Sequence, residues 1–173
     1  MESAGFKIKL INSPGEEIFP DDLSTKEIPE YLAVQKALNA LPNASDLETI
    51  VAADTIVSLD DKMIGKPTSR EHCVNTIRSL MDKSHQVYTG VCILKPPLKK
   101  VFTVTSTVKI NSLSDEEIDY YIEHYNPFDK AGSYGIQEWF GICKVNYIEG
   151  SYTNIMGLPM HELYEALKSM YSH

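Results

Sequence analysis

Three cysteines in 173 residues, at positions 73, 92 and 143, form no C-x-x-C pair and no zinc spacing. That excludes a disulfide scaffold and predicts reduced thiols, with Cys73 and Cys92 packed among apolar neighbours. No apolar run is long enough to span a bilayer, and the first residues lack a basic-then-apolar leader. A cytoplasmic protein is the expectation. Positive charge is scarce as well: 16 lysines and arginines stand against 24 acids, for a net charge of -8. Without a basic tail or stripe, nucleic-acid binding and attachment to an anionic membrane are not expected. A polyanion would have to be met by a few placed lysines or through a metal. Arginine occurs only at positions 70 and 78, and tryptophan only at 139. Internal repeats, low-complexity tracts and linkers are absent too.

What remains is ordinary for a soluble globular chain, 43% hydrophobic and 23% charged. Residues 1–173 are read as a single domain with a sizeable core. Its centre is Thr49-Ile50-Val51-Ala52-Ala53-Asp54-Thr55-Ile56-Val57, apolar and partly β-branched, which predicts a buried strand. Asp54 interrupts that strand, and a carboxylate there is costly unless a cation, a metal or several donors meet it. Asp60-Asp61 reads as a tight turn, after which Met63-Ile64 returns antiparallel and brings Gly65-Lys66-Pro67 back towards Asp54. An acid and an amine converging beside a glycine suit a phosphate and its metal. A structural acid capping a neighbouring backbone is the other reading.

Around this centre, Gly5 to Ile11 alternates like a strand with one buried face. Ser13-Pro14-Gly15-Glu16-Glu17 is a turn carrying two acids, either solvated or including a metal ligand. A helix is predicted from Pro29 to about Ala40, with Ile28, Tyr31, Leu32, Val34 and Leu38 on its apolar arc. Lys36 lies at the edge of that arc, where it can snorkel or point into a cleft. Thr68 and Glu71 suggest a capping box before a helix carrying Cys73, Val74, Ile77, Leu80 and Met81. Ser84–Leu94 and Lys100–Ile110 read as long antiparallel neighbours joined at Pro96-Pro97. His85, at a strand start, is read as a structural hydrogen-bonder. Ser114 and Glu117 make a second capping box, with Ile118, Tyr121, Ile122 and Tyr125 buried behind it. The run Asn126 to Gln137 holds two glycines, an acid, a lysine and an amide, as a backbone approaching a ligand would. Ile142–Ile148 is expected to be a strand, Gly150–Asn154 a polar loop, and Met160 to Tyr171 an amphipathic helix after Pro159.

Together, Ala53-Asp54-Thr55, Gly65-Lys66-Pro67, Ser84-His85-Gln86-Val87-Tyr88-Thr89-Gly90-Val91, the run from Asp129 to Gln137, and Gly150-Ser151-Tyr152 through Gly157-Leu158-Pro159 resemble the Maf family of nucleoside triphosphate pyrophosphatases. The run Asp-Lys-Ala-Gly-Ser-Tyr-Gly-Ile-Gln is the most specific of these signals. The resemblance implies an α/β fold like that of inosine triphosphate pyrophosphatases: a long twisted mixed sheet flanked by helices, with a nucleotide cleft. It implies hydrolysis of a nucleoside triphosphate to the monophosphate and pyrophosphate with a divalent metal, magnesium or manganese. Asp54 matches the family's proton acceptor, and the residues alone leave open whether it is base or metal ligand. Glu17 matches an acidic motif position on the metal side. Lys36, Lys66 and Lys130 match lysines facing the phosphates, and Thr55 and Gln137 match positions associated with base selection. Threonine after the aspartate, with Tyr-Gly-Ile-Gln, resembles the branch acting on dTTP and UTP. A homodimer is plausible on the same ground, and Trp139 is expected in the core or a contact.

One departure stands out. Family members carry an early strand followed by Ser-x-Ser-x-Arg-Arg, which this sequence lacks, and neither arginine matches it. The expectation is a domain shortened at its N-terminus, missing the helix-start N–H groups and two guanidinium forks for phosphate. A sheet edge would be left exposed or filled otherwise. The competing reading is a nucleotide- or partner-binding protein with impaired turnover, tied to cell-division control.

Overall fold

A computed structural model describes residues 1–11, 18–45 and 47–171. Five strands form one open sheet in the order β2-β1-β3-β4-β5: β1 Ile50–Leu59, β2 Lys62–Ile64, β3 Ser84–Lys95, β4 Leu98–Ile110 and β5 Val145–Glu149. Each neighbouring pair in that order is antiparallel. The β1–β2 turn is made by Asp60 and Asp61 at φ 51° and 59°, the left-handed backbone a two-residue hairpin demands and aspartate tolerates.

Alternation along β1 divides its side chains between two faces. Ile50, Ala52, Asp54 and Ile56 share one face, covered by helix α1 (Ile28–Ala40): Ala33, Ala37 and Ala40 meet Ile50, Cys92 and Leu94, while Ile28 and Leu32 meet Ile56. The opposite face, with Val51, Ala53, Thr55 and Val57, is covered by α2 (Arg70–Leu80), α3 (Asp115–Tyr125), α4 (Trp139–Lys144) and α6 (Met160–Tyr171). A short helix, α5 (Tyr152–Ile155), packs there against β3 and β4. The expected α/β architecture, a sheet between helices, is present, but among the described strands the sheet is antiparallel throughout and not mixed, because consecutive strands are joined by hairpins or return beside their neighbours. Cys73 and Cys92 are fully buried in it, as their neighbours predict.

Several local expectations change. The α1 arc rotates: Leu38 is exposed, and alanines make the contact instead. The reason is proximity, since a Cβ on Gly90 of β3 would sit 2.2 Å from the Glu30 backbone nitrogen. At that spacing only small side chains fit under the helix. Ser69, not Thr68, caps α2 by accepting from His72 N–H, whereas Ser114 and Glu117 form the expected reciprocal box on α3. Ile142 to Lys144 belong to α4, and only Val145 onwards pairs with β4. Ser151 caps α5 where a loop was expected. Gly5–Ile11 forms no strand. Alternation records a preference, and these residues make no backbone ladder with the described residues to satisfy it. Glu16 and Glu17 lie outside the described residues. Among the described residues no helix is long and apolar enough to cross a membrane.

Candidate active site

β2 covers only Val57–Leu59 of β1, and among the described residues Ile50–Ile56 pair on one side alone, to β3. A cleft of about 350 Å3 opens there, and Lys36, Asp54, Thr55, Lys66, Asp129, Lys130 and Gln137 all line it. All of these but Asp129 are site residues expected from sequence, so six such residues share one cavity, although Asp54 and Thr55 leave β1 on opposite faces. The seventh, Glu17, lies outside the described residues. A larger cavity of about 820 Å3 runs between residues 6–11 and the start of β1, and it meets the cleft at Lys36 and Ala53. Its lining is mostly aliphatic, whereas Asp54, Asp129, Lys66 and Lys130 line only the smaller one.

Asp54 is 9% exposed, and Lys36, reaching down from α1, forms an ion pair with it. Sequence reasoning had brought Lys66 to Asp54. The hairpin does return Lys66 to the cleft, but the cation paired with the buried acid comes from the helix above. That placement depends on Gly90, which pairs with Asp54 across the β1–β3 ladder and lets α1 lie against the sheet.

On the far wall, Lys130 Nζ lies 2.9 Å from Asp129 Oδ1 and 3.1 Å from Glu138 Oε1. Burial works against its charge, but the two carboxylates outweigh burial and raise its pKa. Hydrogen bonding from Lys130 in turn lowers that of Asp129. The other oxygen of Glu138 accepts from Tyr121 Oη at 2.5 Å, and Tyr121 Oη accepts from Gly135 N–H at 2.9 Å. Burial, and then the bond to Glu138, push the Tyr121 phenol well above its ordinary value. Lys130 is therefore anchored as part of the wall, with its charge already met. Tyr134, also in the lining, is held from behind by fully buried His85, whose Nε2 is 2.7 Å from Tyr134 Oη. Burial drops the pKa of His85 to about 4, so the ring is neutral at pH 7. The structural reading of His85 agrees with this contact.

Thr55 sits beside Thr89 of β3 at Oγ1–Oγ1 2.9 Å, and Thr89 Oγ1 donates to the carbonyl of Asn154 at 3.0 Å. The side chain of Asn154 donates to Val87 O at 3.1 Å and to Ser106 Oγ at 3.0 Å, tying α5 to the sheet. The two arginines lie elsewhere: Arg70 pairs with Asp119 and Glu123, and Arg78 with Asp115, joining α2 to α3. Trp139 packs on Tyr120 and Tyr121 and is not in the cleft lining. Among the described residues no three His, Cys, Asp or Glu side chains gather to hold a metal.

The sequence model of the Maf family, described as Maf-like protein, matches residues 1–170. The chain belongs to the Maf family. Its open sheet with flanking helices fits that membership. It is 49% identical over 155 residues to the dTTP/UTP pyrophosphatase of Bacteroides thetaiotaomicron, covering 90% of this chain and 80% of the relative. Identity is 45% over 171 residues to the dTTP/UTP pyrophosphatase of Phocaeicola vulgatus, covering 98% and 89%. For the protein of the same name from Christiangramia forsetii it is 39% over 163 residues, covering 94% and 83%. Within this Maf domain, sequence reasoning passed over Glu138, Tyr121, Thr89 and Asn154. Glu138 was findable beside Gln137, but the others enter only through pairing between distant segments.

Proposed function

We propose that this Maf protein hydrolyses dTTP and UTP to the nucleoside monophosphate and pyrophosphate. The observation that carries this reading is one cleft that gathers a buried carboxylate, Asp54, with Lys36 and Lys66 beside β1. The names of the relatives supply the substrate class. A triphosphate entering the cleft competes with Asp54 for Lys36, because its oxygens carry more charge than one carboxylate. Asp54, released from the ammonium, accepts the proton of a water that attacks the α-phosphorus. The bond from that phosphorus to the bridging oxygen breaks, and its electron pair leaves with pyrophosphate, next to Lys66. Orientation and charge neutralisation supply the rate.

A divalent cation fits this donor set in one manner. Asp54 is a hard oxygen ligand, and magnesium characteristically completes a site of one or two carboxylates with phosphate oxygens and waters. Asp54, with Glu17 as the expected second carboxylate, would hold it, and its chemistry is to neutralise phosphate charge and acidify water. The protein is placed in the cytoplasm on this reading. A second reading, nucleotide binding without efficient turnover, draws on the arginines, which are committed to the α2–α3 contact.

The test is pyrophosphate release by the 173-residue chain with magnesium, offering dTTP, UTP, 7-methyl-GTP and ATP, beside Asp54→Asn. Turnover of dTTP and UTP is expected, with loss in the variant and after chelation by EDTA. Folded protein that binds these nucleotides and releases no pyrophosphate would overturn the enzymatic reading in favour of the second.

A further inference from the structure

We propose that Glu138 is a positioning residue for this site: it fixes Lys130 in the cleft wall, so that the ammonium presents one directed N–H to the phosphate oxygens of the nucleotide. The proposal rests on the nucleotide reading above and gives a role to a side chain outside the cleft lining.

Glu138 has little freedom. Its backbone N–H meets Gly135 O at 3.2 Å, and its carbonyl receives Ile142 N–H at 3.0 Å where α4 begins. The carboxylate lies on the backbone of Gly135, where an added Cβ would come 2.6 Å from Glu138 Cδ. Tyr121 is fully buried and has one hydrogen to donate. A carboxylate can only accept, so that hydrogen goes to Glu138 Oε2, and Tyr121 Oη is left to accept from Gly135 N–H. Oε1 of Glu138 then serves Lys130 at 3.1 Å. Asp129, the other carboxylate on Lys130, is mostly exposed and holds it only from the rim.

An ammonium carries three N–H groups. Two are directed to Asp129 and Glu138, and Lys130 lines the cleft, so the third is what remains for a ligand. With its charge already balanced, Lys130 acts through the placement of that bond and not through attraction from afar. A lysine stem is rich in rotamers, and ordering it in advance spares that cost on binding. Glu138→Gln keeps the shape, but an amide has one accepting end, which can serve Tyr121 or Lys130 and not both. The sign of the effect is diagnostic. Removing a negative charge beside a polyanion strengthens anion binding if charge alone counts, whereas loss of placement weakens it.

Binding of inorganic pyrophosphate with magnesium, measured by calorimetry well below the melting temperature, tests this without needing turnover. Glu138→Gln should weaken it by on the order of tenfold. Glu138→Asp keeps the charge and loses the reach, and should weaken it too. Asp129→Asn removes the same charge from the rim and should not. In a Lys130→Met background neither change at position 138 should cost anything more, whereas a general disturbance of the fold would. Unchanged or tighter binding in folded Glu138→Gln, a further loss in the Lys130→Met background, or a parent chain that binds no pyrophosphate would overturn the inference. The expected order of affinities in a chain that hydrolyses no triphosphate sustains it and removes only the enzymatic reading.

Discussion

An alanine at Gly90 would carry its Cβ to 2.2 Å from Glu30 N, 2.3 Å from Pro29 C and 2.4 Å from Glu30 Cα. Carbon contacts settle near roughly 3.5–4 Å, so α1 would have to retreat by on the order of 1 Å. These neighbours are backbone, and no side-chain rotamer can relieve the clash. Overpacking costs about 1–3 kcal/mol, and a backbone clash belongs at the upper end. For a chain of this size that lowers Tm by roughly 5–10 °C. The functional loss should be larger than the stability loss suggests. Lys36 rides on the same helix as Glu30, and its ion pair with Asp54 sits across the ladder from Gly90. A shift of about 1 Å in a group that must meet a phosphate can cost on the order of a hundredfold in rate. Thermal melting and pyrophosphate release on the same preparation measure both. Gly65→Ala is the control, because nothing lies within 4 Å of its added Cβ, and its stability should change by no more than about 0.5 kcal/mol. If Gly90→Ala melts and turns over like the parent, the close seating of α1 is not what positions Lys36.

Two other outcomes follow from the site's buried groups. Unfolded His85 takes up a proton below about pH 6.5, whereas in the fold burial delays this to about 4. Stability should therefore be complete above that upper value and fall as pH drops through the window, by up to roughly 3 kcal/mol. Denaturant titrations should show this slope flattened in His85→Gln, and an unchanged slope would assign the acid sensitivity elsewhere. Glu138→Gln removes a carboxylate from Lys130 and weakens the acceptor for Tyr121, at a cost of about 1–3 kcal/mol. Asp129→Asn touches the same lysine from a carboxylate 75% exposed and should cost at most about 1 kcal/mol by urea unfolding. The reverse order would show that Glu138 is not the anchor.

Much of the scaffold was legible along the chain because its causes are local. The Asp60-Asp61 turn, the Ser114–Glu117 box, the long β3–β4 pair and the α6 helix after Pro159 each arise from residues near one another in sequence. So does the Asp129 to Gln137 run, the most specific part of the resemblance to the Maf family. Tertiary structure alone decided which cation meets Asp54. Lys66 lies only a hairpin away, yet the partner is Lys36, because Gly90 admits α1 against the sheet. It also decided that Gly5–Ile11 stays outside the ladder, since a strand exists only where a neighbour supplies hydrogen bonds. The hydrogen bonds that run from Thr55 through Thr89 to Asn154 join segments far apart in the sequence. No local pattern encodes such a relation, because the direction of a hydrogen bond depends on every other bond its atoms already make.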